Sequence, residues 1–167
     1  MPTTPARSAL IVHAHAEPDS FSSAQAATAV RALGEAGYTV DHLDLYAEGW
    51  APVLDRDEFP SASVPFKPQA EQLRAVKDGT LDAVVRSHLD RLLTADLLVL
   101  SFPLWWFSMP AVLKGWVDRV FAMGGVFGGD HGLFDEAALT GRRAVLLLTT
   151  GGSTWLSGGV PGPSGPG

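Results

Sequence analysis

Three short runs, SALIVH (Ser8–His13), ADLLVLSF (Ala95–Phe102) and RAVLLLTT (Arg143–Thr150), are apolar on consecutive residues instead of on alternate ones. A strand of that kind hides both faces, as strands of a parallel sheet do beneath covering helices. Stretches with helical spacing separate the runs. Phe21–Gly37 carries Ala and Val at that spacing and stops at Gly37; Leu81–Leu93 carries Leu81, Val84, Val85, His88, Leu89 and Leu92. From Pro110 to Met123, Val112, Leu113, Trp116, Val117, Val120 and Phe121 form one stripe, with Lys114 and Asp118 spaced to pair on the other face. Pro110 suits the first turn of that helix. Tyr38–Leu45 (YTVDHLDL) reads as a more mixed, partly exposed strand. Strand and helix in alternation predict an α/β fold with a parallel sheet.

The intervening segments are less regular. Ala47–Thr80 is rich in Pro, Ser and charge and reads as a long irregular excursion with a helical turn near Gln69–Val76. Gly124–Gly132 (GGVFGGDHG) reads as a flexible loop. The run RAVLLLTT is expected to be a strand buried on both faces, with a neighbour on each side. No further strand pattern follows it, so either a partner subunit covers that edge or the chain is a shortened version of a longer protein. Gly151–Gly167 (GGSTWLSGGVPGPSGPG) is Gly/Pro/Ser-rich and predicts a disordered tail.

Composition narrows the function classes. A chain of 167 residues with 46% hydrophobic and 18% charged residues is one folded domain, too apolar for intrinsic disorder. Its net charge of −6 disfavours nucleic acid as a partner. It has no cysteine, which excludes disulfides, thiolate nucleophiles and cysteine-held zinc or iron–sulfur centres. The start MPTTPARSALIV makes a poor signal peptide, and the apolar run from Ala95 to Phe107, broken by Pro103, is too short to span a bilayer. The expectation is a cytoplasmic protein without membrane insertion.

In an open parallel α/β sheet, ligands sit beyond the carboxyl ends of the strands. Three segments leave strand ends there: His15–Ser23 (HAEPDSFSS), Pro103–Phe107 (PLWWF) and Thr149–Gly152 (TTGG). The first enters a helix, with Ser20, Ser22 and Ser23 as cap or anion donors beside free amides. Glu17 and Asp19 count against an anion there, and Asp19 or Ser20 as a plain helix cap explains the segment equally well. PLWWF reads either as a plug for the core or as a platform for a flat aromatic ligand. An anion pocket beside a flat-ring platform and a close-approach TTGG backbone points to a flavin nucleotide. His13 and His15 would share a strand face as metal ligands can, but no third ligand accompanies them, so no metal site is assigned. His42, His88 and His131 read as solvent-facing or capping. Phe127 and His131 lie in the Gly-rich loop and are candidates for the substrate side, although an ordinary loop explains them as well. No G-x-G-x-x-G fingerprint joins a strand to a helix, which argues against a dinucleotide-first Rossmann site.

The segments AHAEPDSFSSA, FPLWWFSMPAVLKGWVDRVF and TTGGS resemble the signature segments of the NAD(P)H:quinone oxidoreductase family, flavodoxin-like flavoenzymes. The resemblance runs from about Ala9 to Ser153 and includes the Ala47–Thr80 excursion and the phrase DGTLDAVV. It implies an α/β flavodoxin-like three-layer sandwich with a parallel sheet, lacking the final strand and its helices. Residues 1–152 would be the flavin-binding domain, with the excursion at 47–80 and the tail at 153–167. In the family the excursion contributes to a homodimer, and flavin sites form at the subunit interface. By position, His15, Phe21, Ser22 and Ala24 would contact the cofactor's phosphate and ribityl portion, Ser22 standing where many relatives have asparagine. Pro103, Leu104, Trp105, Trp106 and Phe107 would cradle the isoalloxazine ring, and Thr149, Thr150, Gly151 and Gly152 would follow its polar edge. The implied activity is hydride transfer from NADH or NADPH to a quinone-like acceptor by a ping-pong route. FAD is favoured over FMN because the excursion resembles the FAD-using members.

No side chain is assigned as catalytic. Where family members carry a tyrosine and a histidine near the flavin, Ser153–Gly162 reads STWLSGGVPG and has neither. That departure leaves a second reading: a flavin-binding regulatory subunit with little turnover, comparable to ancillary proteins of potassium-efflux systems. A flavodoxin-like one-electron carrier and a non-functional remnant with an exposed sheet edge are the remaining alternatives.

Overall fold

A computed structural model describes residues 7–151. Gly152 and the expected tail at 153–167 lie outside the described residues. Four strands, β1 (Arg7–His13), β2 (Tyr38–Asp44), β3 (Leu97–Pro103) and β4 (Arg143–Thr149), form one sheet in the order β2-β1-β3-β4. All three pairings are parallel, with Ile11 opposite His42 and Val99, and Leu100 opposite Leu146. Helix α1 (Phe21–Glu35) joins β1 to β2; α2 (Pro68–Asp78) and α3 (Ala83–Thr94) lie between β2 and β3; α4 (Ala111–Val120) joins β3 to β4. The chain therefore winds one way from β1 and the other way from β3, and the gap beyond those two strand ends is the switch point where ligands bind in such sheets.

Local chemistry sets most boundaries. The Ser20 hydroxyl accepts the Ser23 amide at the start of α1, and the Asp82 carboxylate accepts the amides of Val84 and Val85 at the start of α3. Pro68 opens α2, and Gly79 closes it with φ +71°, a conformation other residues adopt only with strain. Alternate residues of the strands serve two cores. Ala9, Ile11, Leu97 and Val99 pack against Ala29, Val30 and Leu33 of α1. Leu10, Val12, Leu100 and Phe102 face the larger core with Leu89, Leu92, Leu113, Trp116 and Val120 of α3 and α4.

Four expectations need correction. The helical turn expected near Gln69–Val76 is a full helix, α2, and the rest of the excursion, irregular in backbone apart from a short 3-10 turn at Arg56–Glu58, is nonetheless packed: Trp50 and Phe59 are buried, and Gly115 of α4 sits so close to Pro52 that a Cβ would lie 2.0 Å from its carbonyl oxygen. His88 is not solvent-facing; it is buried, stacked on Trp50 at 4.8 Å between ring centres, with Nε2 3.1 Å from Glu48. Burial holds its imidazole below the usual range, against the raising effect of Glu48. Pro110 precedes α4 as its cap residue and is not inside its first turn. β4 is not buried on both faces: it is the edge strand among the described residues, and Val145, Leu146 and Leu148 are exposed. Lys114 and Asp118 pair across one helical turn as their spacing predicts. The Gly124–Gly132 segment is a run of hydrogen-bonded turns, Gly124 N–H donating to Phe127 and Gly128 N–H to Gly132, with Val126 in the core.

Candidate functional site

The three segments singled out at strand ends meet around one hollow of about 730 Å³. Its lining comprises His15, Ser20, Phe21, Ser22, Pro103, Leu104, Trp105, Trp106, Phe107, Thr149, Thr150 and Gly151. Eleven of the residues expected to bind a cofactor are thus brought together. Ala24 is not among them; it is an exposed residue of α1 whose amide already donates to Ser20. Phe127 and His131 are also elsewhere. Phe127 lines a second, larger hollow of about 820 Å³ with Leu54, Phe66, Leu73, Val117 and Phe121. That hollow lies between α2 and α4, away from the strand ends where ligands bind in such sheets, so the smaller one is the candidate site.

Each wall has a local cause. β3 ends at Pro103, the Leu104 amide donates to Thr149 at 2.7 Å, and so the loop stays beside the end of β4. Trp105 and Ser108 then exchange two backbone bonds of 3.0 Å around Trp106 and Phe107. Both central residues have positive φ, 51° and 61°, the sign pattern of the primed turns that normally take Asn-Gly. Holding a bulky L-residue there costs about 1–2 kcal/mol each. Both rings are also 94% exposed. Within the described residues the Trp106 and Phe107 amides donate to nothing. Strain, exposed aromatic surface and unspent donors coincide on one turn.

The opposite wall is the entrance to α1. The amides of Ser23 and Ala24 are consumed by Ser20, whereas those of Phe21 and Ser22 have no partner among the described residues. The Ser22 hydroxyl is buried and unpaired. Phe21 is exposed over the opening. His15 accepts the Glu17 amide at Nδ1, 3.0 Å, and its ring approaches Trp105 at 5.8 Å, joining the two walls. Glu17 receives the Asp19 amide on its carboxylate, so that side chain is engaged within its own loop. The site therefore offers free amides at a helix N-terminus on one side and aromatic faces with free amides on the other, a donor set suited to a phosphate-bearing flat ring.

The metal reading of His13 and His15 finds no support: among the described residues no group of three or more metal-type side chains gathers. His13 is instead buried between Ser101 and Ser23. Sequence reasoning missed that role. The available signal was a histidine closing an apolar strand that faces a helix start rich in serine.

Comparison with known proteins agrees with this fold. Residues 7–162 match the family model described as flavodoxin-like fold. NAD(P)H dehydrogenase [quinone] 1 of Rattus norvegicus is 38% identical over 88% of this chain and 54% of its own length. Ribosyldihydronicotinamide dehydrogenase [quinone] of Homo sapiens is 39% identical over 93% of this chain and 69% of its own. A crystal structure of a Klebsiella pneumoniae protein assigned as a quinone reductase superposes with TM-score 0.78 at 39% identity, over 87% of this chain and 60% of that one. This chain thus spans about half of the rat relative's length and somewhat more of the others. On these grounds the chain belongs to the NAD(P)H:quinone oxidoreductase family of flavodoxin-like proteins.

Proposed function

We propose that this chain is a flavin-dependent oxidoreductase that takes hydride from NADH or NADPH and passes it to a quinone-like acceptor by a ping-pong route. The observation that carries the reading is the coincidence at one hollow of a strained, exposed Trp106-Phe107 turn with unpaired amides on both walls. The relatives' names add the donor and acceptor classes: the rat protein is an NAD(P)H dehydrogenase [quinone], the human one a ribosyldihydronicotinamide dehydrogenase [quinone].

The residues present fit a flavin. Amides of Phe21 and Ser22, with the unpaired Ser22 hydroxyl, would receive the phosphate, and His15 would flank the ribityl chain. Pro103 to Phe107 would wall the ring, and Thr149, Thr150 and Gly151, with Gly152 beyond the described residues, would line its polar edge. A bound flavin would supply the two-electron chemistry. The chain's part is to exclude water with the indoles and to hold backbone dipoles where negative charge develops. Ala24 serves this reading only by extending α1. FAD is the preferred cofactor, with FMN as the alternative. Phe127 and His131 reach the substrate side only if a homodimer brings one subunit's loop to its partner's hollow. The proposed unit is residues 1–152, working in the cytoplasm.

The test uses the full chain. After incubation with FAD or FMN and gel filtration, the retained flavin is identified chromatographically, and turnover is followed with NADPH and menadione. Retained flavin with rapid two-electron turnover supports the enzyme. Retained flavin without turnover favours the regulatory-subunit reading, and no retained flavin overturns both. Trp106→Ala is expected to weaken flavin retention about tenfold, the scale of one lost aromatic stacking face.

A further inference from the structure

Behind the hollow, polar groups form a chain from the middle of the sheet to the entrance of α1, centred on His13. This residue closes β1, in register with Asp44 of β2 and Ser101 of β3, and is 2% exposed. Its Nδ1 lies 3.2 Å from the Ser101 hydroxyl and its Nε2 3.1 Å from the Ser23 hydroxyl.

The partners settle where the protons are. The Ser23 hydroxyl donates to the Glu17 carbonyl at 3.0 Å, because a carbonyl only accepts. It must then accept from the imidazole, which puts the ring proton on Nε2 and leaves Nδ1 to accept from Ser101. The Ser20 hydroxyl takes the Ser23 amide at 3.1 Å and gives its own hydrogen to the Ser23 oxygen at 2.9 Å. Every hydroxyl donates once, and the set closes on a neutral ring. Burial, the largest influence on His13, favours that neutral form; Asp44 and the backbone of Ser101 oppose it, and His42 and His15 reinforce it.

We propose that His13 is a positioning residue for the hollow: through Ser23 it ties the Glu17–Ser22 loop to the sheet, so that the free amides of Phe21 and Ser22 are preset for the ligand's phosphate. The inference rests on the flavin reading given above. Without the tie, the loop keeps its own cap but loses its anchor to β1 and β3, and ordering it becomes a cost of binding.

The experiment measures flavin binding by fluorescence quenching and amide hydrogen exchange over residues 15–23 in the flavin-free full chain. His13→Leu and Ser23→Ala are each expected to weaken binding about tenfold and to speed exchange in that segment. The double variant should be no weaker than either single one, since both break one joint. His13→Gln, whose amide can donate to Ser23 and accept from Ser101, should restore binding, which a general packing defect would not allow. Ser23 is only half-buried, so Ser23→Ala tests the joint even if His13→Leu fails to fold. If the wild-type chain binds flavin and both single variants bind it equally well, or if their losses simply add, the positioning role is overturned alone. If the wild-type chain binds no flavin, the reading of the hollow fails and this inference falls with it.

Discussion

Trp106 and Phe107 carry two costs at once, positive φ and near-complete exposure of large apolar rings. Trp106→Gly removes the backbone cost and Trp106→Ala does not. The flavin-free Gly variant should therefore be the more stable of the two by up to about 1 kcal/mol, read from urea midpoints. Both variants should lose flavin retention. His13 and His88 set a pH dependence. Each is buried and titrates below the 6.5 of a free imidazole. At pH values above that, neither the folded nor the unfolded chain binds these protons, and stability is full. As pH falls from there toward the lowered folded values, the unfolded chain takes up protons that the folded one refuses, and stability drops. Unfolding midpoints at about pH 7 and pH 5 should show the decline, and His88→Gln should flatten its slope. At this scale the sequence spoke unevenly. Trp105, Trp106 and Phe107 stood out because apolar side chains between two prolines lack a local reason. His88 did not, because its burial comes from Trp50 and Glu48, some forty positions away.

The excursion is held to α4 by Arg119, which donates to Glu58 at 2.9 Å and to the Ala51 carbonyl and lies over the Trp50 ring at 4.6 Å. The Glu58 side chain is only 5% exposed, and its desolvation raises its pKa while Arg119 lowers it. Arg119→Ala strands that carboxylate and should cost about 3–5 kcal/mol in urea unfolding. Replacing both partners by methionine should cost less than the single alanine, since no charge is left unpaired. Gly115→Ala tests the same contact sterically: its Cβ would press on the Pro52 backbone, and a loss of about 1–3 kcal/mol is expected, visible as a drop in Tm. Strands and the helices with clear stripes were legible because hydrophobic spacing and caps act within a few residues. The excursion was not. Its order depends on Trp50, Phe59 and Arg119 meeting across long sequence distances, and its Pro- and charge-rich composition hides that.

At the scale of the whole molecule, the most exposed part of the described sheet is β4. Val145 and Leu148 are 42% exposed and Leu146 57%, on the edge strand of the described sheet. Such an edge pairs with other chains. Light scattering should rise with protein concentration, and Leu146→Lys should reduce it. By itself, the sequence determined the parallel α/β architecture and the three segments at the strand ends, because doubly apolar strands and helical stripes are local patterns with few compatible topologies. Only the tertiary structure decided that these segments share one hollow, that Ala24, Phe127 and His131 stand outside it, and that His13 links its back wall to the sheet. Those facts depend on how strand register and loop closure bring distant residues within a few ångströms, and no spacing along the chain encodes that distance.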